Sequence, residues 1–159
     1  MGTRFPRSET VSLRSARPSD VEAMARIELE CFSDPWPASA FADLLDARHA
    51  RITVAVDQLD EPVGYCVLLA VADEGEIANI AVAQSLRGRG VGARLLDQAL
   101  VAAEHEGVRS VYLEVRTSNH AARDLYASRE FVAVGRRRAY YRNPLEDALV
   151  LRRNCPAAG

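Results

Sequence analysis

No apolar run in this chain is long enough to span a membrane as a helix, which excludes a transmembrane segment. Nor is there an excess of either charge. Twenty Lys and Arg against 22 Asp and Glu give a net charge of −2 and a pI near 5.9, which argues against a nucleic-acid binder working through general basicity. Paired cysteines are missing as well. Cys31, Cys66 and Cys155 are an odd number without a CxxC spacing, as expected for reduced thiols in a cytoplasmic protein. His49, His105 and His120 are scattered away from cysteine and carboxylate neighbours, so no metal is expected. There are no internal repeats and no low-complexity linker. Met1–Thr10 is polar, carries two arginines and lacks the apolar segment of a signal peptide. It reads as a flexible tail, as does Asn154–Gly159, on either side of a single domain over 11–153.

What is present is enough apolar material for a core: 48% of 159 residues. Alternating apolar residues predict a first strand over Val11–Ala16. A helix follows from Pro18-Ser19-Asp20 to about Cys31, with Ser19 as N-cap, Glu22 in the capping-box position, and Val21, Met24, Ile27 and Cys31 on one face. Phe32–Pro37 breaks it, and a short helix over Ala38–Ala47 packs Phe41, Leu44 and Leu45. Arg51–Val56 and Val63–Val71 are strands about a turn at Asp57–Pro62, the second apolar enough to be buried on both faces. Glu76–Val82 is a strand, and Ala93–Glu106 shows helical periodicity closed by Gly107. Ser110–Val115 is a strand, Ala121–Ser128 a helix preceded by Asn119, and Phe131–Gly135 and Asp147–Leu151 pair around an Arg/Tyr-rich connection. The order β-α-α-β-β-β-α-β-α-β-β implies one mixed sheet with helices on its faces rather than regular βαβ alternation.

Between the strand ending at Val82 and the long helix lies Arg87-Gly-Arg-Gly-Val-Gly92. Small residues let backbone N–H groups close around an anion, and the helix N-terminus adds roughly half a positive charge. A Walker A loop would end in Gly-Lys-Ser/Thr, whereas this one ends Gly92-Ala93-Arg94. A dinucleotide loop is met on paper by Gly88, Gly90 and Ala93, with Glu114 downstream for a ribose. That motif needs its first glycine tight against the strand, and Ala83–Arg87 intervenes. A plain flexible turn would not need alternating glycines leading into a patterned helix.

Arg87-Gly88-x-Gly90-x-Gly92 resembles the pyrophosphate loop, R/Q-x-x-G-x-G/A, of the GCN5-related N-acetyltransferase superfamily. From roughly Val11 to Arg153 the element order is similar too. Within the superfamily the chain resembles the RimI-like N-terminal protein acetyltransferases, through Phe32-Ser-Asp-Pro-Trp36, Asn79-Ile-Ala-Val82, Leu113-Glu-Val-Arg116, Ser118-Asn119, Leu125-Tyr126 and Tyr140-Tyr141 followed by Glu146-Asp147-Ala148. One departure is Arg129-Glu130-Phe131, where the family has Gly-Phe. Glutamate is unfavourable at a left-handed C′ position, so a locally different helix end is expected.

The resemblance implies a mixed, mostly antiparallel sheet of about seven strands flanked by about four helices, with one splayed strand pair. Acetyl-CoA would be the co-substrate, without a metal. Backbone groups of Arg87, Gly88, Arg89, Gly90, Val91 and Gly92 would hold its pyrophosphate. Its pantetheine arm would pair with Ile80 and Val82 in a gap beside Val111–Val115, with the N–H of Val82 or Ala81 at the developing oxyanion. Glu114, a carboxylate inside an otherwise apolar strand, is the candidate base, against the plainer alternative of a solvated outward carboxylate. An amino terminus has an ordinary pKa near ~8, so a modest base suffices. Tyr126 is the candidate acid beside the sulfur, or else a core tyrosine. Asn119 contacts pantetheine or caps its helix. Trp36, Tyr140 and Tyr141 frame the acceptor, unless Trp36 only plugs the core. Arg136-Arg137-Arg138 is a solvated turn or an attractant for an acidic peptide or RNA near a ribosomal protein.

The activity implied is acetyl transfer to a protein N-terminal amine, with the N-terminal alanine of a small-subunit ribosomal protein as acceptor. The partner is then a peptide, with no membrane, no direct nucleic-acid contact, and a monomeric or weakly dimeric enzyme. A small-molecule amine, a lysine side chain, or a non-catalytic acyl-CoA-binding role remain as alternatives.

Overall fold

The computed structural model describes residues 10–156, so the expected N-terminal tail, Thr10 apart, and residues 157–159 lie outside it. Among the described residues there are seven strands and four α-helices, in the predicted order. The strands are β1 (Ser12–Ser15), β2 (Ala50–Val56), β3 (Pro62–Val71), β4 (Glu74–Val82), β5 (Ser110–Arg116), β6 (Val132–Tyr141) and β7 (Glu146–Asn154). The helices are α1 (Val21–Cys31), α2 (Ala38–Leu45), α3 (Val91–His105) and α4 (His120–Ser128). The strands form one sheet, β1-β2-β3-β4-β5-β7-β6. Every neighbouring pair is antiparallel except β4 and β5.

Strand alternation divides the apolar residues between two helical layers. Leu68, Val111, Leu113 and Val115 pack with Leu95, Leu96 and Ala99 of α3 and with Tyr126 of α4. Val54, Tyr65 and Val67 point the other way, onto Met24 and Ile27 of α1 and Phe41 of α2. β3 is buried on both faces because it feeds both clusters. No helix of the described residues is long and apolar enough to cross a membrane.

Two local features set the site. On β4, Asn79 pairs with Val67 and Ile77 with Leu68, so Ala78 is an extra residue, a bulge that bends the strand. Just before the bulge β4 leaves its parallel neighbour: pairing with β5 is confined to Glu74–Ser110, Gly75–Val111 and Glu76–Tyr112. From Ile77 onward the two strands part, leaving an opening in mid-sheet.

Elsewhere the structure corrects details. Ser19 is not the cap of α1: Pro18–Asp20 form a 3-10 turn, and the buried Asp20 carboxylate accepts from the Arg17 N–H at 2.7 Å and from both ends of the Arg14 fork. α3 begins at Val91, two residues early, because left-handed Gly90 makes the turn directly. Arg136–Tyr141 is strand rather than connection, tied to β7 by the Arg136–Asp147 pair and to β5, one strand further in, by the Arg137–Glu114 pair. β7 takes in Asn154, and the Cys155 N–H donates to Arg109 O at 2.8 Å, so the strand reaches into the supposed C-terminal tail.

The end of α4 is also regular, contrary to expectation. Phe131 N–H donates to Tyr126 O and Glu130 N–H to Ala127 O, each at 3.1 Å, which is the Schellman pattern. Glu130 itself takes the left-handed conformation, φ 67°, and the Phe131 ring closes edge-on over Tyr126 at 5.8 Å. The side chain tolerates the strain because the two bonds and the ring contact hold the turn.

Candidate active site

Gly88 and Gly90 have φ of 76° and 79°, and a Cβ at either would meet nothing within 4 Å. Glycine is therefore needed for the backbone's left-handed turns, not for room. Gly90 is the N-cap of α3 and offers no side chain, so the first N–H groups of the helix are left uncapped, the arrangement that suits an anion. Arg87 and Arg89 are exposed beside it. The Arg87 guanidinium folds back onto Val82 O (3.3 Å) and Cys31 Sγ (3.0 Å). Arg89 makes no hydrogen bond or ion pair among the described residues and is free to meet a phosphate.

In the gap, backbone direction decides which groups face it. Ala83 N–H donates to Val63 O at 2.8 Å, so the alternation of an extended strand turns Ala81 toward β3 as well, and Ile80 and Val82 toward the gap. Of the two main-chain N–H groups expected from the sequence at the oxyanion, that of Val82 points into the gap and that of Ala81 points to β3. Across the gap, Cys155 N–H to Arg109 O and Thr117 N–H to Asp147 O turn the odd-numbered residues of β5 to β7. The backbone groups of Glu114 and Arg116 then face β4, so both lips of the opening present main chain outside the sheet ladder, with Val82 O taken by the Arg87 guanidinium and Arg116 O by the Asn119 N–H.

The candidate base and acid lie on opposite faces of the sheet, either side of this parting. Leu113 and Val115 pack toward α3 and α4, which puts the Glu114 side chain on the α1–α2 face. Its Oε1 accepts from Arg137 Nη1 at 2.7 Å, with 23% of the Glu114 side chain exposed and 53% of Arg137. The Arg137 guanidinium lies 4.1 Å above the Tyr140 ring, and the two tyrosines meet edge-on at 5.0 Å. Burial, then the Glu114 charge, pushes the Tyr141 hydroxyl up to about 12. Burial and a hydrogen bond with Glu114 raise Tyr140. Glu76, the last β4 residue paired to β5, is raised by burial and by the Glu114 charge, with Arg137 opposing. Glu114 is thus the hub of a charged and aromatic patch rather than a solitary solvated carboxylate.

Tyr126 is 6% exposed. Among the described residues its hydroxyl has no hydrogen-bond partner. Burial pushes its pKa well above the ordinary value, so it stays protonated. Asn119 caps α4, accepting from Ala122 N–H at 3.2 Å. Trp36 is half-buried and tilted against Phe41 at 5.5 Å, which joins the α1–α2 loop to the core.

Two residues to which the sequence assigned nothing turn out to organise the patch. Arg116 lies 4.5 Å over the Tyr141 ring and donates to Arg142 O and Pro144 O (3.0 Å each), Glu146, and Ser33 Oγ at 3.4 Å. It ties the β6–β7 hairpin to the α1–α2 loop. Glu28 is buried within α1 and accepts from Trp36 N–H at 2.9 Å, Asn79 Nδ2 at 2.7 Å and the Tyr65 hydroxyl. Its signal was present: a glutamate interrupting the apolar stripe Met24, Ile27, Cys31 at helical spacing. Among the described residues no group of three His, Cys, Asp or Glu is placed to hold a metal.

An anion loop feeding a parted parallel strand pair, with a carboxylate and a tyrosine flanking the opening, defines an acyl-CoA-dependent acyltransferase. Residues 21–131 match the acetyltransferase (GNAT) family. The chain is 38% identical over 153 residues to the N-alpha-acetyltransferase RimI of Mycobacterium tuberculosis, covering 92% of this chain and 94% of that one. It is 31% identical over 142 residues to the ribosomal protein bS18-alanine N-acetyltransferase of Escherichia coli, covering 88% and 95%. The crystal structure of the ribosomal-protein-S18-alanine N-acetyltransferase from Escherichia coli superposes with a TM-score of 0.86 at 29% identity, over 94% of this chain and 96% of that one. The chain belongs to the GNAT acetyltransferase family and is an acetyl-CoA-dependent N-acetyltransferase.

Proposed function

We propose that this enzyme acetylates the N-terminal α-amine of a protein, with the N-terminal alanine of a small-subunit ribosomal protein as its acceptor class. The observation that carries this reading is the opening between β4 and β5, with Glu114 on one face and a protonated Tyr126 on the other. The relatives named for N-terminal and ribosomal-protein alanine acetylation support the acceptor class.

Main-chain N–H groups from Arg87 to Gly92 hold the pyrophosphate, with Arg89 adding charge. Pantetheine runs along Ile80 and Val82 as an added strand, and Asn119 sits at its edge. The peptide enters between the α1–α2 loop and the β6–β7 hairpin, against Trp36, Tyr140 and Tyr141. Its ammonium displaces Arg137 from Glu114, which takes one proton through a water. The freed amine lone pair attacks the thioester carbon, and Val82 N–H holds the oxyanion. Collapse expels the coenzyme thiolate, which takes its proton from Tyr126; the nitrogen loses its second proton to give the neutral amide, that proton restores the Tyr126 hydroxyl, and Glu114 releases its own to solvent.

Thiol release with acetyl-CoA and peptides beginning Ala, Ser, Gly and Met, followed by mass spectrometry, tests this. Acetyl groups should appear on the α-amine, fastest for Ala. Glu114→Gln and Tyr126→Phe should each lower kcat by roughly a hundredfold, within the usual range for acid–base groups. Acetylation confined to internal lysines, or turnover indifferent to both substitutions, would overturn it.

A further inference from the structure

We infer that Glu28 is a positioning residue, whose buried carboxylate clamps the α1–α2 loop that seats the acceptor peptide onto the strand that presents the thioester. This rests on the acceptor site proposed above.

Glu28 is 2% exposed, yet it lies on a helix face otherwise made of Met24, Ile27 and Cys31. An aliphatic side chain there would fill the space without having to lose its hydration, so packing alone does not account for a carboxylate. What the carboxylate adds is a set of directed bonds to three separate segments. Oε2 accepts from the Trp36 amide at 2.9 Å, in the loop. Oε1 accepts from Asn79 Nδ2 at 2.7 Å on β4, and from the Tyr65 hydroxyl on β3. Trp36 stands between Pro35 and Pro37, whose fixed φ leaves the loop little freedom once one amide is pinned. Asn79 stands between the bulged Ala78 and Ile80, the first residue whose main chain faces the gap. One carboxylate thus relates the height of the acceptor loop to the lip of the coenzyme gap, so that the loop is held ready before a peptide arrives and peptide binding need not order it.

Trp36 is the only tryptophan, so its emission reports the loop directly. Glu28→Met keeps the volume and leaves all three donors unmatched. It should raise the peptide KM about tenfold or more, with kcat at saturating peptide within about threefold and acetyl-CoA affinity within about twofold, while Trp36 emission moves to the red. Glu28→Gln should behave like wild type, since its oxygen can take the Trp36 N–H while Asn79 turns its own oxygen toward the new amide. A Gln variant as impaired as Met would overturn the positioning role in favour of a charge requirement. An unchanged KM in the Met variant also overturns it. If emission has then shifted, the acceptor site falls too, because the loop has moved without consequence; if emission has not shifted, that site survives and Glu28 simply does not hold the loop. Should the Met variant fail to fold, hydrogen exchange on the wild type decides. The Trp36 amide should exchange about a hundredfold more slowly than that of Asp34, and equal rates would refute the clamp.

Discussion

Glu130→Gly should make this protein more stable, because Glu130 occupies a left-handed position at φ 67° that its Cβ resists. For an L-residue that conformation costs roughly 1–2 kcal/mol. Glycine removes the penalty but has more freedom to lose on folding, which takes back about 0.5–1 kcal/mol. The exposed Glu130 side chain makes no hydrogen bond or ion pair among the described residues, so little else is lost. The net gain is about 0.5–1 kcal/mol, or roughly 1–4 °C in melting temperature for a domain of this size. Glu130→Ala is the necessary control: it removes the carboxylate, keeps the Cβ and should lie within about 0.5 kcal/mol of wild type. Urea denaturation and thermal scans of the three proteins read the difference. Turnover should not change, since Tyr126 is already anchored by the Phe131 N–H and ring. A Gly variant no more stable than the Ala variant would mean that the strain assigned to this turn is absent.

Gly90→Ala should act in the opposite sense, because φ of 79° with no neighbour within 4 Å makes its penalty conformational. It should destabilise by about 1–2 kcal/mol, and calorimetry should show acetyl-CoA affinity about tenfold weaker; unaltered affinity would mean that the loop does not hold the coenzyme. Glu146 is held at a pKa of about 2 by hydrogen bonds from the Ser118 and Thr117 hydroxyls, the Ser118 N–H and Arg116, against an ordinary 4.5. A depressed carboxylate stabilises fully above its unfolded pKa and loses that contribution as pH falls toward its folded one. The difference in urea midpoint between wild type and Glu146→Gln should therefore be widest above pH ~5 and close by pH ~2, and an equal difference at both ends would contradict the assignment.

Local chemistry announced much of the fold. The long helix showed its apolar stripe and its Gly107 stop, Asn119 caps α4, and the glycine loop stands where the sequence put it. These features are legible because each depends on residues close in sequence. The bulge at Ala78 left no mark, since it exists only in the register of β4 against β3. Arg136–Tyr141 looked like a loop because its arginines have no apolar alternation; β7 and the carboxylates of Asp147 and Glu114 make it a strand. Arg116 was hidden because its partners lie far off in sequence, whereas Glu28 left a local sign in its break of the apolar stripe, though not the identity of its distant partner Asn79. The sequence left Val82 and Ala81 as alternatives because which residues of a strand face which neighbour depends on its pairing, not on residue type.

The lips of the opening are made of peptide groups, not side chains, and this bears on how the enzyme can change over evolutionary time. Nineteen of the twenty amino acids supply the same amide at position 82; proline alone deletes it. The grip on the donor molecule can thus withstand wide sequence drift, whereas recognition of the acceptor, which we place on Trp36, Tyr140, Tyr141 and Arg137, is open to revision one codon at a time. Descendants of such a protein would be expected to exchange acceptors far more readily than donors.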